Sequence, residues 1–279
     1  MLTVVNSYST STVLHMSQAV DHLPVQLAYA NSWVSNVARK QPYDLYIGRQ
    51  SRGFAKSVWG NKHHLIGNSQ KTRLLAVAAY ANDILENLYE INKLTGLRLG
   101  CWCAPKLCHG HILAALANDK ECTDNLFDDT CITGATSLSE RAGLVSSWKD
   151  ELTSIALDLP HRLLVSGSRT WTDRNALASA INEQWTSWGK PSKFTLIVGD
   201  ADGADRIAQE IVSSAGFDVE LHIADWEQFG RRAGMRRNAE MVASGADAMI
   251  ACWDGISPGT RGCIDAAAKA GLKATLLSP

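Results

Sequence analysis

The sequence has no long apolar stretch. Nothing in its 279 residues approaches the ~18 consecutive apolar positions of a membrane-spanning helix, so no membrane partner is expected. Its start, MLTVVNSYSTST, lacks the basic opening and apolar core of a signal peptide, and the expected compartment is cytoplasmic. Charge of one sign is missing too. The 27 Lys and Arg nearly balance 28 Asp and Glu, a formal net charge of −1. The chain as a whole offers no field that would draw it to nucleic acid, though a local basic patch is compatible with that balance. A disulfide framework is also absent. The seven cysteines, at 101, 103, 108, 122, 131, 252 and 263, are odd in number and unevenly clustered. In a reducing compartment such clusters point to metal, catalysis or buried thiols. Tryptophan is not scarce: there are nine. Trp59, Trp102, Trp171, Trp226 and Trp253 fall beside motifs, where a ring either stacks on a base or fills a core.

The length suits two domains. The second half alternates short apolar runs with helix-length segments: LLVSG at 163–167, TLIVG at 195–199, VELHI at 219–223, AMIAC at 248–252 and ATLL at 274–277. That alternation predicts βαβ units around a parallel sheet, whose strands read as apolar runs because both faces are covered. Four runs end in clusters of Gly, Ser or Thr, Asp and Arg: Gly167-Ser168-Arg169-Thr170-Trp171, Gly199 through Arg206, Asp225 through Asn238, and Trp253 through Thr260. Ligands of open α/β sheets bind outside the carboxyl ends of the strands, so the clusters predict a cleft there.

Within these clusters, Gly203 would let a phosphate approach the backbone at a helix start, with Asp202 or Asp205 read either as site residues or as plain N-caps. The aspartates from Asp200 are spaced unlike a calcium loop, whose twelfth position would be Glu and is here Ile211. Arg232 and Arg236 share a helix face at i,i+4, with Asn238 near them, and suit a phosphate; a solvated basic face is the plain alternative. Ser257 followed by Pro258 has the form of a helix start, whose amides and Thr260 hydroxyl would cradle an anion with Gly259.

GSRTW, GDADGADRIA, AGMRRNAEM and SPGT together resemble the YspA-like branch of the SLOG superfamily, over roughly residues 161–279. The resemblance implies a Rossmann-like domain and a nucleotide or nucleotide-derived ligand, with Mg accompanying it. It joins this half to LOG-type phosphoribohydrolases, to DNA-processing DprA-like proteins and to nucleotide sensors. In the LOG-type enzymes a glutamate follows three residues after a related Gly-Thr pair; here that position is Cys263. Asp254, Asp225 and Asp265 are the carboxylates available to take its place, and Asp254 or Asp202 would serve in cleavage of an N-glycosidic bond. A hydrolase, a non-catalytic sensor or sponge and, third, a DNA-associated protein all stay open; the near-neutral charge speaks against DNA.

In the first half, Leu2–Val5 and Tyr43–Ile47 are strand-like, and Ala28, Trp33, Val34 and Val37 give a partial helical stripe. Residues 70–93 carry a broad apolar stripe that predicts a helix, followed by a strand at Leu97–Leu99 and a helix from about Pro105–Cys108 to Ala117. Residues 119–160 read as an acidic connector and then an amphipathic helix, with Ser137 and Glu140 as its capping box. Arg49, Arg52 and Lys56 among glycines would hold a phosphate or simply be solvated. Tyr46-Ile47-Gly48-Arg49, Trp59-Gly60-Asn61 and Cys101-Trp102-Cys103-Ala104-Pro105-Lys106-Leu107-Cys108-His109-Gly110 resemble an uncharacterised domain family of bacteria and their phages, over roughly 43–118. Members of that family often follow W-G-N with Pro-Phe, where this chain has Lys62-His63. The resemblance marks Arg49, Trp59 and Asn61 as a candidate site and names no reaction.

Three readings of the cysteine cluster stand together. Cys101, Cys103, Cys108 and His109 or His111 would bind zinc, although C-x-C is tighter than the usual C-x₂₋₄-C. Cys108, near a helix start and beside His109, would be a reactive thiolate and a catalytic candidate. Otherwise the thiols are small buried groups. The expected architecture is therefore α/β: a smaller α/β or α+β domain at 1–120, a connector at 121–160 and a Rossmann-like, SLOG-type domain at 161–279. A homo-oligomer is compatible with the connector helix, and the two domains are expected to act on one ligand class.

Overall fold

A computed structural model describes residues 23–24, 27, 30–51, 53–65, 67–118 and 137–279. The Leu2–Val5 strand, Arg52, Cys122 and Cys131 lie outside the described residues. The described chain gathers into two compact units, one from Met1–His63 and Val77–Ile155, the other from His64–Ala76 and Ala156–Pro279.

The first unit holds three short parallel strands, β1 (Val34–Asn36), β2 (Leu45–Tyr46) and β3 (Leu99–Cys101), in the order β1-β3-β2. The helical stripe expected through Val34 and Val37 is corrected. Val34–Asn36 is extended, and the Asn36 side chain accepts from Arg39 N and donates to the carbonyls of Trp102 and Ala104. Such local side-chain bonds compete with helix formation. The helix expected over 70–93 is α1 (Gln70–Ile84), followed over Leu85–Leu94 by 3₁₀ turns kinked at Asn87. Buried Leu88, Ile91 and Leu94 are spaced by three, and three residues per turn align them on one face. The strand predicted at 97–99 starts two residues later, so Cys101 is its last residue. α2 (His109–Ala117) is buried on every side, which is why it shows no stripe. The capping box at the start of α3 (Leu138–Asp158) forms, with Ser137 N donating to Glu140 Oε2 at 2.6 Å and Glu140 N to Ser137 Oγ at 3.2 Å.

In the second unit the apolar runs are β4 (His161–Gly167), β5 (Phe194–Gly199), β6 (Asp218–His222), β7 (Ala248–Cys252) and β8 (Ala274–Leu277). All are parallel, in the order β6-β5-β4-β7-β8. Alternate residues feed opposite cores. Leu163, Val165, Leu196 and Val198 meet α4 (Arg174–Ser187) and α5 (Ala204–Ser214). Leu164, Ile197 and Met249 meet α7 (Ala233–Ala243) and α8 (Pro258–Lys269), after the short α6 (Trp226–Phe229). From β4 the chain winds outward through β5 and β6, then returns to the other side for β7 and β8. The switch point therefore lies between the carboxyl ends of β4 and β7.

At the amino ends of the same strands, residues 64–76 fold with this unit. Asn68 Nδ2 donates to Val242 O at 2.8 Å, and Asn68 Oδ1 accepts from Ala246 N at 2.9 Å. Ser69 Oγ bonds Asp247, which also accepts from Arg162 N at 2.8 Å. Buried Lys71 donates to the Ala156 and Leu159 carbonyls at 3.0 and 2.9 Å, satisfying the end of α3. Among the described residues no helix is long and apolar enough to cross a membrane.

Candidate functional site

Ser168 follows the last residue of β4 and ties the switch point together. Its N–H donates to Cys252 O of β7 at 2.9 Å, and its hydroxyl donates to Asp254 Oδ2 at 2.7 Å. Asp254 receives three more bonds from the start of α8: Ser257 Oγ at 2.6 Å, Ser257 N at 2.7 Å and Ile256 N at 3.0 Å. The Ser257 hydroxyl and amide, then the Ser168 hydroxyl, hold the Asp254 carboxyl well below its ordinary range. It stands ionised, with two bonds on each oxygen. Ser257 is the N-cap and Pro258 sits at N1, as the sequence pattern predicts, but the Ser257 hydroxyl turns to Asp254 rather than to its own helix.

On the other side of Ser168, α5 begins. Neither Asp202 nor Asp205 is its N-cap, correcting that expectation; Gly203 is, with φ 73°. A Cβ there would lie 2.4 Å from Ser168 O, so the close approach of helix start to β4 requires glycine. Two helix starts without side-chain caps, α5 and α8, thus flank Ser168, Asp254 and Ser257. Arg169 and Trp226 stand on the rim; the guanidinium is 5.8 Å from the ring centroid and Trp226 is 48% exposed. Beside β5 a hollow of about 280 Å³ is lined by Gly199, Asp200, Asp202, Arg206 and Leu221, with Asp202 and Arg206 3.6 Å apart.

Behind Ser168 runs a second network. Arg237 Nη1 donates to Asp200 Oδ1 at 2.7 Å, its Nη2 lies 3.8 Å from Asp205 Oδ2, and its Nε donates to Asn238 Oδ1 at 2.9 Å. Asn238 Nδ2 then donates to Gly259 O at 3.0 Å, so the network fixes the first turn of α8. Burial pushes the Asp205 carboxyl up to about 6 against the pull of Arg237. Thr260 and Cys263 are buried, and burial pushes the Cys263 thiol up to about 11. Arg232 is exposed, and Arg236 is engaged with Glu240 at 3.0 Å and over the Phe229 ring at 4.0 Å. Asp225 caps α6, and Asp265 pairs with Arg261 at 3.1 Å.

In the first unit, Arg49, Trp59 and Asn61 do come together, as a loop clasp. Arg49 donates to the carbonyls of Asn61 and His63 at 2.6 and 2.7 Å, and Asn61 Oδ1 accepts from His63 N at 2.7 Å. Trp59 is buried, its carbonyl accepting from the Tyr80 hydroxyl at 2.9 Å. Cys101, Cys108 and His109 also converge. Cys108 is the N-cap of α2, and contact with Cys101 and Cys103, then burial, pushes its thiol up, opposite to the direction that the thiolate reading needs.

Residues 31–119 match the family model of a domain of unknown function, DUF4326, and residues 161–229 match that of the YspA, cpYpsA-related SLOG family. The Gene 61 protein of Mycobacterium phage D29 is 42% identical over 116 residues, covering 40% of this chain and 91% of that protein. An uncharacterized 12.4 kDa protein in the nrdA-td intergenic region of Enterobacteria phage T4 is 35% identical over 99 residues, 33% of this chain and 83% of that protein. The chain belongs to the DUF4326 and YspA/cpYpsA-related SLOG families. No solved structure matches it.

In the SLOG unit the motif residues Ser168, Gly203, Asp254 and Ser257 adjoin one another, while Arg232 is exposed and Arg236 pairs with Glu240. Sequence reasoning missed Arg237 and Asp200. The available signal was register: Ala233, Arg237 and Met241 recur every four residues, and all are buried. In the DUF4326 unit the three cluster residues are brought together by β3 ending at Cys101 and α2 beginning at His109.

Proposed function

We propose that the SLOG unit binds a nucleotide or nucleotide-derived small molecule at the carboxyl ends of β4 and β7. Its phosphate faces the starts of α5 and α8, and its base lies toward Arg169 and Trp226. The observation that carries this reading is the pair of uncapped helix starts on either side of the switch point, where amide dipoles favour an anion. Membership of the SLOG family is consistent with nucleotide-related binding. Arg169 and Trp226 supply a cation and a π-face at the rim.

A sensor or sponge fits better than a hydrolase. Both oxygens of Asp254 are occupied by the chain's own donors, Asp225 caps a helix, and Asp265 and Asp200 pair with arginines. A general base needs a lone pair facing substrate. Asp202, exposed beside Arg206, is the carboxylate on which the N-glycosidase reading rests. The DNA reading is left with a reduced basic face, exposed Arg231 and Arg232, because Arg237 is buried and Arg236 engaged.

Calorimetric titration of the full chain with mononucleotides, cyclic nucleotides and ADP-ribose, with and without Mg²⁺, tests the proposal. Binding tighter than about 1 mM is expected for at least one phosphate-bearing member, and is lost on Arg169→Ala with Thr260→Ala. No binding across the panel overturns it. Chromatography after long incubation separates the two readings: recovered ligand supports the binder, and free base supports the hydrolase.

A further inference from the structure

We propose that the DUF4326 unit holds one zinc ion through the sulfurs of Cys101, Cys103 and Cys108 and through His109 Nδ1. The thiol sulfurs of Cys101 and Cys108 and a ring nitrogen of His109 lie within 4.8 Å of one another, and all three residues are buried. Cys101 ends β3, Cys108 caps α2 and His109 opens it, so strand end and helix start deliver the three donors from fixed elements. Cys103, on the connecting loop, interacts with both of the other thiols but stands outside that 4.8 Å group, and moves in to supply the fourth donor. Zinc–sulfur bonds of about 2.3 Å in a tetrahedron place donors about 3.8 Å apart, so drawing Cys101, Cys108 and His109 together asks for a contraction of about 1 Å or less, and the Cys103 loop travels further. Two or more irons with bridging sulfide would spread the thiolates further than this cluster does.

A second observation concerns the imidazoles. His109 Nε2 lies 2.9 Å from Ile47 O. A carbonyl only accepts, so Nε2 carries the proton and Nδ1 keeps its lone pair. Metal-bound histidines show this outer bond to a carbonyl, which fixes both tautomer and ring plane. His111 is committed differently. Its Nδ1 accepts from Cys108 N at 3.1 Å, and its Nε2 faces Asn31 Oδ1 at 3.2 Å. It orients Cys108 without joining the set. Soft thiolates with one imidazole select zinc among common divalent ions. On binding, the three thiols release their protons to solvent and the ion loses water.

Metal analysis of the full chain, purified from zinc-supplemented cells and treated briefly with EDTA, is expected to give about one zinc per chain. A mercurial thiol reagent should release it to a colorimetric chelator. Cys101→Ser with Cys108→Ser should lower the content at least about tenfold, whereas Cys252→Ser in the other unit should not change it. Should the double variant fail to fold, cobalt(II) exchange into the unaltered chain decides. Intense visible d–d bands with thiolate charge transfer, the signature of a tetrahedral site, support the proposal. Weak octahedral bands, a zinc-free chain that takes up none on reconstitution, or iron with equal acid-labile sulfide each overturn it.

Discussion

Replacing Gly199 by alanine puts a methyl group into the Arg237 guanidinium. An ideal Cβ on Gly199 falls 1.8 Å from Arg237 Nη1, 2.3 Å from Cζ and 2.5 Å from Asp205 Oδ2. A flexible side chain would ordinarily swing away, but this one is 7% exposed and held by Asp200, Asp205 and Asn238. Gly199 itself is paired in register with His222 of β6, so the strand does not back off. The guanidinium must leave its partners. Breaking a buried pair from one side costs about 3–5 kcal/mol. Asp200 is 27% exposed and regains some water, which favours the lower end. About 3 kcal/mol corresponds to a melting temperature lower by roughly 10 °C for a unit of this size. Arg237→Ala removes the nearer obstacle, leaves Asp205 uncompensated and able to turn into the vacated space, and should cost a similar amount. Gly199→Ala added to it should then cost less than about 1 kcal/mol, a coupling of about 2 kcal/mol. Thermal and urea melts of the four full-length proteins measure the cycle. A Gly199→Ala melt within about 2 °C of the parent, or additivity in the double variant, refutes the reasoning.

Gly203→Ala should cost at least about 2 kcal/mol in a urea melt, because a Cβ at φ 73° meets Ser168 O at 2.4 Å. Asp254→Ala should weaken nucleotide binding about tenfold or more with far-ultraviolet circular dichroism unchanged; unaltered affinity counts against the switch-point site. Asp205 has an ordinary value near 3.8 and a folded value of about 6, so the fold holds its proton more tightly than the unfolded chain. Its favourable contribution is complete below the unfolded value and is lost as pH rises through the folded one. The stability of the parent relative to Asp205→Asn should therefore fall between about pH 4 and 6, and a flat difference in melts would contradict the assignment. Glu220 runs the other way: burial raises it, but His222 and Arg162 outweigh that and bring it to about 2. Its contribution is complete above the ordinary value of 4.5 and disappears as pH falls through about 2, which Glu220→Gln should abolish in acid melts.

The sheet of the second unit was legible because its central strands β4, β5 and β7 are buried on both faces and stand out as apolar runs; LLVSG at 163–167 becomes His161–Gly167, and AMIAC is β7 unchanged. The first unit hid itself. Its strands are two or three residues long, too short for a period, and α2 has no polar side. Helix-start chemistry was readable at Ser257 and Ser137, since capping is local. What Asp254 does was not, because its donors come from a strand end and a helix start far apart in sequence. Arg237 was passed over for the pair Arg232 and Arg236, which has the right spacing on the wrong face. The effect of two neighbouring thiols on Cys108 likewise needs their distances, which sequence order alone does not supply.

Residues 64–76 lie inside the stretch that matches DUF4326, yet they fold with the SLOG unit through Asn68, Ser69 and Lys71. The two families therefore do not follow one another like beads on a string. A cut anywhere in 119–136 would leave a carboxyl-terminal fragment without the residues that satisfy Val242 O, Ala246 N and Asp247 at the floor of its sheet. That fragment is expected to melt lower than the same unit in the full chain, since each buried polar group left unpaired costs about 1–3 kcal/mol. An amino-terminal fragment in turn carries a strip whose partners are on the other piece. The boundary that the family matches draw and the boundary that the fold draws thus fall at different places in the chain.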